Sequence, residues 1–222
     1  MNNKIASVSL NEYGMIPSFD CQSFSNINLV IGENGTGKTF LLKALYSATR
    51  AMEEYKRGDD IKTINEVLAE KLRWTFQVDK LGDMVTRSSN ESLIFEMKLG
   101  TDQIGYQFSS SATSKVVTAT APSGKREANS IFIPAKEVLS LYSIILKSRE
   151  VDKSFGFDDT YYDLVKALRI SPQKGKNYTA FSNSRKLLNS VIDGKVEYDE
   201  TSGKWFYKNN RSQKFSIGAT SE

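Results

Sequence analysis

The chain contains no histidine, and its only cysteine is Cys21. Without histidine it has no Ser-His-Asp or Cys-His catalysis, no histidine-ligated zinc and no imidazole base. A single cysteine excludes an intramolecular disulfide and a cysteine metal cluster, and we expect Cys21 to be a small buried residue. The function must therefore rest on other chemistry.

Long apolar runs are also missing, since no stretch approaches the roughly 18 residues of a membrane-spanning helix. The first four residues, Met1 to Lys4, lead into no apolar signal-peptide core, and we expect a cytoplasmic protein. The chain has 222 residues, which fits one large domain or a domain with an inserted lobe. Its net charge of +4 permits contact with nucleic acid but does not by itself indicate it.

The first third of the chain predicts two strands and then helices. Ile5–Leu10 alternates apolar and polar residues, as a half-buried strand does, and a loop around Gly14 and Pro17 follows. Ile27–Ile31 is a nearly continuous apolar run, which is typical of a strand buried on both faces of a parallel sheet. Apolar residues then recur at helical spacing, which predicts one helix from Lys38 to about Gly58 and another from Ile61 to about Arg73.

The remainder predicts sheet, then helices, then a hairpin. Residues 92–121 alternate in three runs separated by turns, which indicates an antiparallel β-meander. Ser130–Ile133 predicts a further buried strand, and the chain is then mostly helical to Asp193. Gly194 occupies the position of a helix C′ glycine, and residues 195–208 predict a hairpin.

One motif carries specific chemistry: Gly32–Thr39 fits G-x-x-x-x-G-K-[ST] without a mismatch, between a predicted strand and a predicted helix. Its glycines let backbone N–H groups approach phosphates closely at a helix N-terminus, where the helix dipole favours negative charge. Lys38 is expected to reach the β- and γ-phosphates, and the Thr39 hydroxyl to bind Mg²⁺. The predicted nucleotide-binding residues are Gly32, Glu33, Asn34, Gly35, Thr36, Gly37, Lys38 and Thr39.

With Asn34 in third position, this P-loop resembles that of the ABC-type branch of ATPases, which includes the SMC, RecF and OLD-like proteins. The sequence around the motif, Asn26–Thr39 followed by Leu41–Leu45, is similar to the corresponding sequence of that branch, as is the predicted antiparallel lobe that follows. Two later segments, 132–137 and 157–164, are similar to bacterial "AAA family" ATPases of the RecF-like type, many of which are linked to phage defence or toxin modules.

The resemblance implies an α/β fold: a P-loop core of ABC-ATPase type with an antiparallel β-lobe and a helical lobe. It implies one ATP-binding head with core and β-lobe over 1–133, helical lobe over 134–194, and hairpin with the start of the signature motif over 195–222. It further implies ATP and Mg²⁺ as ligands, a homodimer that sandwiches ATP, and an effector protein or a DNA-related role.

The family's Walker B carboxylates have no counterpart after the P-loop in this chain. Ile131–Ile133 leads into Pro134 instead of aspartate, and Glu137 is expected to lie in the first turn of a helix. Ser221 stands where the resemblance implies the opening of the signature motif. We therefore expect the front portion of a longer ATPase, which could bind nucleotide without turnover, and name no catalytic residue.

Several weaker signals remain open. Gln77 could correspond to the Q-loop glutamine that contacts Mg²⁺, or be a solvated loop residue. Tyr13 or Phe24 could stack on adenine, or pack in the core. The spacing of Asp79 and Gly82 matches the GTPase D-x-x-G pattern, but no Asn-Lys-x-Asp guanine motif exists, which argues against a GTPase.

One further signal and two rival functions stay open beside the ATPase interpretation. The basic and aromatic residues over 171–214 could bind a nucleic-acid strand, or form a hairpin with one apolar and one solvated basic face. A small-molecule kinase would need an arginine-rich lid, and the long meander argues against it. A non-enzymatic nucleotide-binding interaction module would bind ATP without hydrolysing it.

Overall fold

The computed structural model describes residues 4–59, 62–87, 91–169 and 181–217. The chain divides into two compact units, Met1–Ile131 and Phe132–Glu222. Both units combine helices with antiparallel sheet, which confirms a mixed α/β class. No helix within these ranges is both long enough and apolar enough to cross a lipid bilayer.

The first unit is built on a five-stranded sheet with one face buried under two helices. The order is β2-β1-β3-β4-β5, and every pairing is antiparallel. In β3, alternate side chains are fully buried and exposed, as the meander prediction requires. The strands are β1 (Ile5–Tyr13), β2 (Ile16–Cys21), β3 (Leu93–Leu99), β4 (Asp102–Phe108) and β5 (Val117–Thr120).

Strand β2 lies where the sequence predicts a loop. Pro17 lacks a backbone N–H, which favours a loop at this position. However, β2 is an edge strand of the sheet, where a proline that donates no hydrogen bond is tolerated. Gly14 supplies the tight turn between β1 and β2 with φ of 65°. Cys21, predicted to be buried, ends β2 and is only partly buried.

Two helices, α1 (Lys38–Glu54) and α2 (Ile64–Phe76), cover the apolar face of the sheet. Helix α2 begins three residues later than predicted because Thr63 forms a capping box. The Thr63 hydroxyl accepts from the Glu66 N–H at 3.3 Å, and the Glu66 carboxylate accepts from the Thr63 N–H at 2.8 Å. The Thr63 N–H and, at 2.8 Å, the Thr63 hydroxyl both donate to the Glu66 carboxylate, and these two bonds lower the pKa of the Glu66 carboxyl.

The C-terminal end of α1 holds residues 128–130, close to the end of the first unit, in place. The Glu53 carboxylate, almost fully buried, forms an ion pair with Arg50 at 2.9 Å and accepts from the Ser130 N–H at 2.9 Å. The Arg57 guanidinium donates to the Asn129 side chain at 2.6 Å and to the Ala128 carbonyl at 2.7 Å. Because a buried carboxylate must be paired, this network fixes residues 128–130 against α1.

Gly82 lies in a short 3₁₀ helix, Leu81–Met84, whose backbone contacts a loop directly. Its N–H donates to the Ala112 carbonyl at 2.8 Å, and a Cβ at this position would lie 2.1 Å from the Ser110 carbonyl oxygen. Only glycine fits this approach, so the spacing of Asp79 and Gly82 has a structural reason that needs no guanine nucleotide.

The two buried strands predicted at Ile27–Ile31 and Ser130–Ile133 are absent from the structure. Ile27, Leu29 and Ile31 are 90%, 85% and 80% exposed, and Ile131 and Ile133 are also exposed. A strand buried on both faces needs neighbours on both sides, and none of the described strands lies beside either segment. The described residues therefore form antiparallel sheets and no parallel core.

Among its described residues, the second unit contains three α-helices, a short π-helix at Lys147–Val151 and a three-stranded antiparallel sheet of order β6-β7-β8. Its core contains Val138, Tyr142, Ile145 and Val165. Asp158 caps the helix that follows it, and its carboxylate accepts from the Thr160 N–H at 2.8 Å. The elements are α3 (Tyr142–Leu146), α4 (Asp159–Arg169), α5 (Ser182–Val191), β6 (Gly194–Asp199), β7 (Lys204–Asn209) and β8 (Lys214–Ser216).

The hairpin prediction is confirmed, but the role predicted for Gly194 is wrong. Asp193 takes the left-handed conformation after α5, with φ of 51°, while Gly194 is the first residue of β6. A Cβ on Gly194 would lie 2.4 Å from the Lys208 carbonyl oxygen, so glycine is required here for close strand contact.

Candidate functional site

The P-loop of the first unit leads directly into α1, whose first residue is Lys38. Gly35 and Gly37 take left-handed conformations with φ of 81° and 88°, which glycine adopts without strain. Gly37 is the N-cap, no side chain caps the helix, and its first turn has no acidic residue. The first backbone N–H groups of α1 and the positive end of its dipole thus favour an anion at this point.

Lys38 turns back over the loop that precedes it. Its ammonium group donates to the Gly32 carbonyl at 2.7 Å and also to the Glu33 carbonyl. The Thr36 hydroxyl donates to the same Glu33 carbonyl at 2.9 Å. These bonds link the two ends of the loop and keep the positive charge of Lys38 next to the Gly32 and Glu33 carbonyls.

The loop is open to solvent, since residues 32–36 and Thr39 are exposed and Lys38 is only half-buried. The described residues include no group of three or more acidic, histidine or cysteine side chains placed to hold a metal ion. The Thr39 hydroxyl lies in the first turn of α1, and the residue is exposed.

The first turn of α1 rests against two other elements. The Phe40 ring lies 4.7 Å from the Phe76 ring at the end of α2. The β1–β2 turn also contacts this ring, since a Cβ on Gly14 would lie 2.3 Å from Phe40. Gln77 follows Phe76 as the C-cap of α2, with φ of 53°, so its backbone ends that helix near the start of α1.

The remaining predicted residues fall in several places. Tyr13 is fully buried and its hydroxyl lies 3.0 Å from that of Tyr106, so it packs in the core and cannot stack on a nucleobase. Phe24 packs against the same core. Glu137 precedes α3 instead of lying in its first turn, and its carboxylate accepts from the Ser140 N–H at 2.8 Å. Ser221 lies outside the described residues.

One contributor to the site was missed by sequence reasoning. The β1–β2 turn was predicted to be a plain loop, yet a Cβ on Gly37 would lie 2.8 Å from Ile16 and 3.9 Å from the Cβ of Met15. The only signal in the sequence was Gly14, which marks a tight turn but not what the turn contacts.

Comparison with known proteins adds nothing to this geometry. No protein-family model matches the chain, and no curated protein matches it significantly.

Proposed function

We propose that the chain binds a nucleoside triphosphate, ATP with Mg²⁺, at Gly32–Thr39. One observation carries the proposal. The N-terminus of α1 has no side-chain cap and follows a glycine-rich loop, and the Lys38 ammonium lies 2.7 Å from the Gly32 carbonyl oxygen of that loop. Such a group of N–H donors and one cation matches the oxygens of a polyphosphate.

Binding would proceed by exchange of hydrogen-bond partners. The Lys38 ammonium is held by two carbonyls, and phosphate oxygens would replace them as acceptors with the advantage of negative charge. Gly35, with no atom within 4 Å of the place of its Cβ, leaves room for the backbone to approach the ligand. Thr39 would hold Mg²⁺ together with phosphate oxygens and water, which is the usual Mg²⁺ environment in such sites.

The direct test is a calorimetric titration of the chain with ATP or GTP in the presence of Mg²⁺. We expect ATP to bind and GTP to bind more weakly, since the chain has no Asn-Lys-x-Asp motif to hydrogen-bond guanine. GTP that displaces labelled ATP at equal or lower concentration would contradict the adenine preference, and the absence of heat with either nucleotide would contradict the proposal itself.

The chain alone is expected to hydrolyse ATP slowly or not at all. Contacts that bind substrate and transition state equally do not raise kcat, and phosphoryl transfer also needs a held Mg²⁺ and an oriented water. No apolar run of the sequence ends in the Asp-Glu pair that would perform these tasks, and no histidine can replace it as a base. On this proposal the chain is a module that binds nucleotide without hydrolysing it at an appreciable rate.

Steady-state phosphate release by the purified chain measures this directly, with Lys38→Ala as the background for contaminating ATPases. Turnover near 1 s⁻¹, within the roughly 1–10³ s⁻¹ usual for enzymes, that disappears in Lys38→Ala would show that a catalytic carboxylate lies among residues to which we assign structural roles.

A further inference from the structure

Strand β6 is an edge of the second unit's sheet that lacks the usual protection against pairing with a further strand. Native edge strands are commonly short or contain proline. Among the other edge strands of the described sheets, β2 contains Pro17, β5 has four residues and β8 has three. Strand β6 has six residues, no proline and a continuous register with β7. No other described residue hydrogen-bonds to the backbone of residues 195–198 on the side away from β7.

A groove of about 1040 Å³ lies along this edge. Five consecutive residues, Val196–Glu200, line it together with Tyr142, Trp205, Lys214 and the last residues of α4, Ala167–Arg169. Small-molecule pockets usually have about 300–1,000 Å³, so this groove has room for several residues of a peptide. The edge itself offers backbone donors and acceptors in a row, which another extended backbone matches along its length.

One face of β6 is apolar. Because successive side chains of a strand point to opposite faces, Val196 and Tyr198 share this face, and they are 39% and 38% exposed. The Tyr198 ring lies 5.3 Å from the Tyr142 ring and 5.1 Å from the Trp205 ring. Apolar side chains of an added strand would extend this aromatic layer and cover the two exposed residues.

The other face of β6 is charged and contains Lys195, Glu197 and Asp199. Lys195 lies directly opposite Lys208 of β7, and like charges in this arrangement are destabilising. The Lys195 ammonium forms an ion pair with Glu197 along the strand, and the Asp199 carboxylate forms one with Lys214 at 3.3 Å. An acidic side chain on the outer side of Lys195 would offset the repulsion from β7, and basic side chains would complement the two carboxylates.

We propose that β6 accepts an extended peptide segment of a partner protein as an added antiparallel strand. Main-chain hydrogen bonds to the edge give such a complex its affinity, and alternate side chains give it specificity. Antiparallel pairing is the only kind in the described sheets and is slightly more stable per residue than parallel pairing. In this orientation the segment Lys-Val-Lys-Val-Glu places its valines beside Tyr198 and Val196 and its glutamate beside Lys195.

The test uses the blocked peptide acetyl-Lys-Val-Lys-Val-Glu-amide, titrated into the whole chain without nucleotide by calorimetry. We expect saturable binding and a change in the fluorescence of Trp205, which lines the groove, while Trp74 of the first unit gives a constant background. Absence of binding overturns the inference, and so does binding that leaves the fluorescence unchanged. Because no nucleotide is present, neither outcome depends on the proposed function.

Backbone methylation separates strand addition from contact through side chains alone. In an antiparallel ladder the N–H groups of alternate residues face the same neighbour. One peptide N-methylated at both valines and another N-methylated at both lysines and the glutamate should therefore differ. The form whose methyl groups face β6 is expected to bind about tenfold more weakly, and the other to keep its affinity within about threefold. Equal affinities of the two forms overturn the inference.

The substitution Lys195→Glu tests the register. It is expected to weaken binding of the peptide about two- to fivefold, the range of one cross-strand charge pair, and a peptide that ends in lysine instead of glutamate should recover the loss. Arg211→Glu is the matched control, because it reverses the same charge in the exposed turn between β7 and β8 and should keep the original preference. A Lys195→Glu chain that still prefers the original peptide contradicts the proposed pairing. A chain that sediments as a dimer and binds no peptide has a second copy at this edge, which also overturns the inference.

Discussion

Lys38→Ala is expected to abolish ATP binding to the chain. The ammonium group is the only side-chain cation of the P-loop, and it already lies at the loop mouth, bonded to the Gly32 and Glu33 carbonyls. A hydrogen bond to a charged group contributes about 1.5–3 kcal/mol, so the loss of bonds to two phosphate oxygens weakens binding more than about 100-fold. The measurement is a calorimetric titration with ATP and Mg²⁺.

Thermal unfolding provides a second measurement of the effect of Lys38→Ala on ATP binding. ATP at about 100 times its Kd should stabilise the unaltered chain by about 2.7 kcal/mol, which raises Tm by roughly 5–10 °C for a protein of this size. Lys38→Ala should show no such rise. Lys125→Ala, which removes an exposed lysine of the same unit, should retain it. An ATP affinity that survives Lys38→Ala would end the assignment of the site.

Phe95→Ala is expected to lower the free energy of unfolding of the first unit by about 3–5 kcal/mol, the usual effect of removing a buried aromatic ring. Phe95 is fully buried at the centre of β3, stacked on Tyr106 at 4.9 Å and edge-on to Tyr13 at 6.0 Å. Its removal opens a cavity between the sheet and the helices, because a close-packed core refills such a space only in part.

The two tryptophans allow this unit to be followed alone. Trp74 belongs to the first unit and Trp205 to the second, so a Trp205→Phe background leaves fluorescence that reports on the first unit during urea unfolding. Ile94→Ala is the matched control, since Ile94 directly precedes Phe95 in β3 but is 38% exposed on the opposite face. Equal losses from the two substitutions would contradict the assignment of faces.

Sequence reasoning succeeded where structure depends on neighbours along the chain. The alternation in β3, the apolar stripe of α1 and the hairpin of β6 and β7 are local patterns, and each element forms as predicted. The glycines and the lysine of the P-loop are equally local, and the start of α1 at Lys38 agrees with the motif.

It failed where partners distant in sequence decide the outcome. Ile27–Ile31 has the composition of a buried strand, but a strand forms only beside another strand, and the described residues provide none there. Pro17 is accepted in β2 because β2 is an edge strand, a property of the whole sheet. The position of Met15 beside Gly37 depends on how the β1–β2 turn meets α1, which no sequence period encodes.

The exposed segment Ile27–Ile31 has a consequence for every affinity measured on this protein. An unpaired apolar segment of high β-propensity is a template for association with another chain. Gly32 follows the segment directly, so an association through Ile27–Ile31 would also constrain the start of the loop proposed to bind nucleotide. By thermodynamic linkage, nucleotide must then alter the association by the same factor by which association alters nucleotide affinity. If the chain binds ATP as proposed and associates through this segment, the apparent Kd for ATP becomes a function of protein concentration.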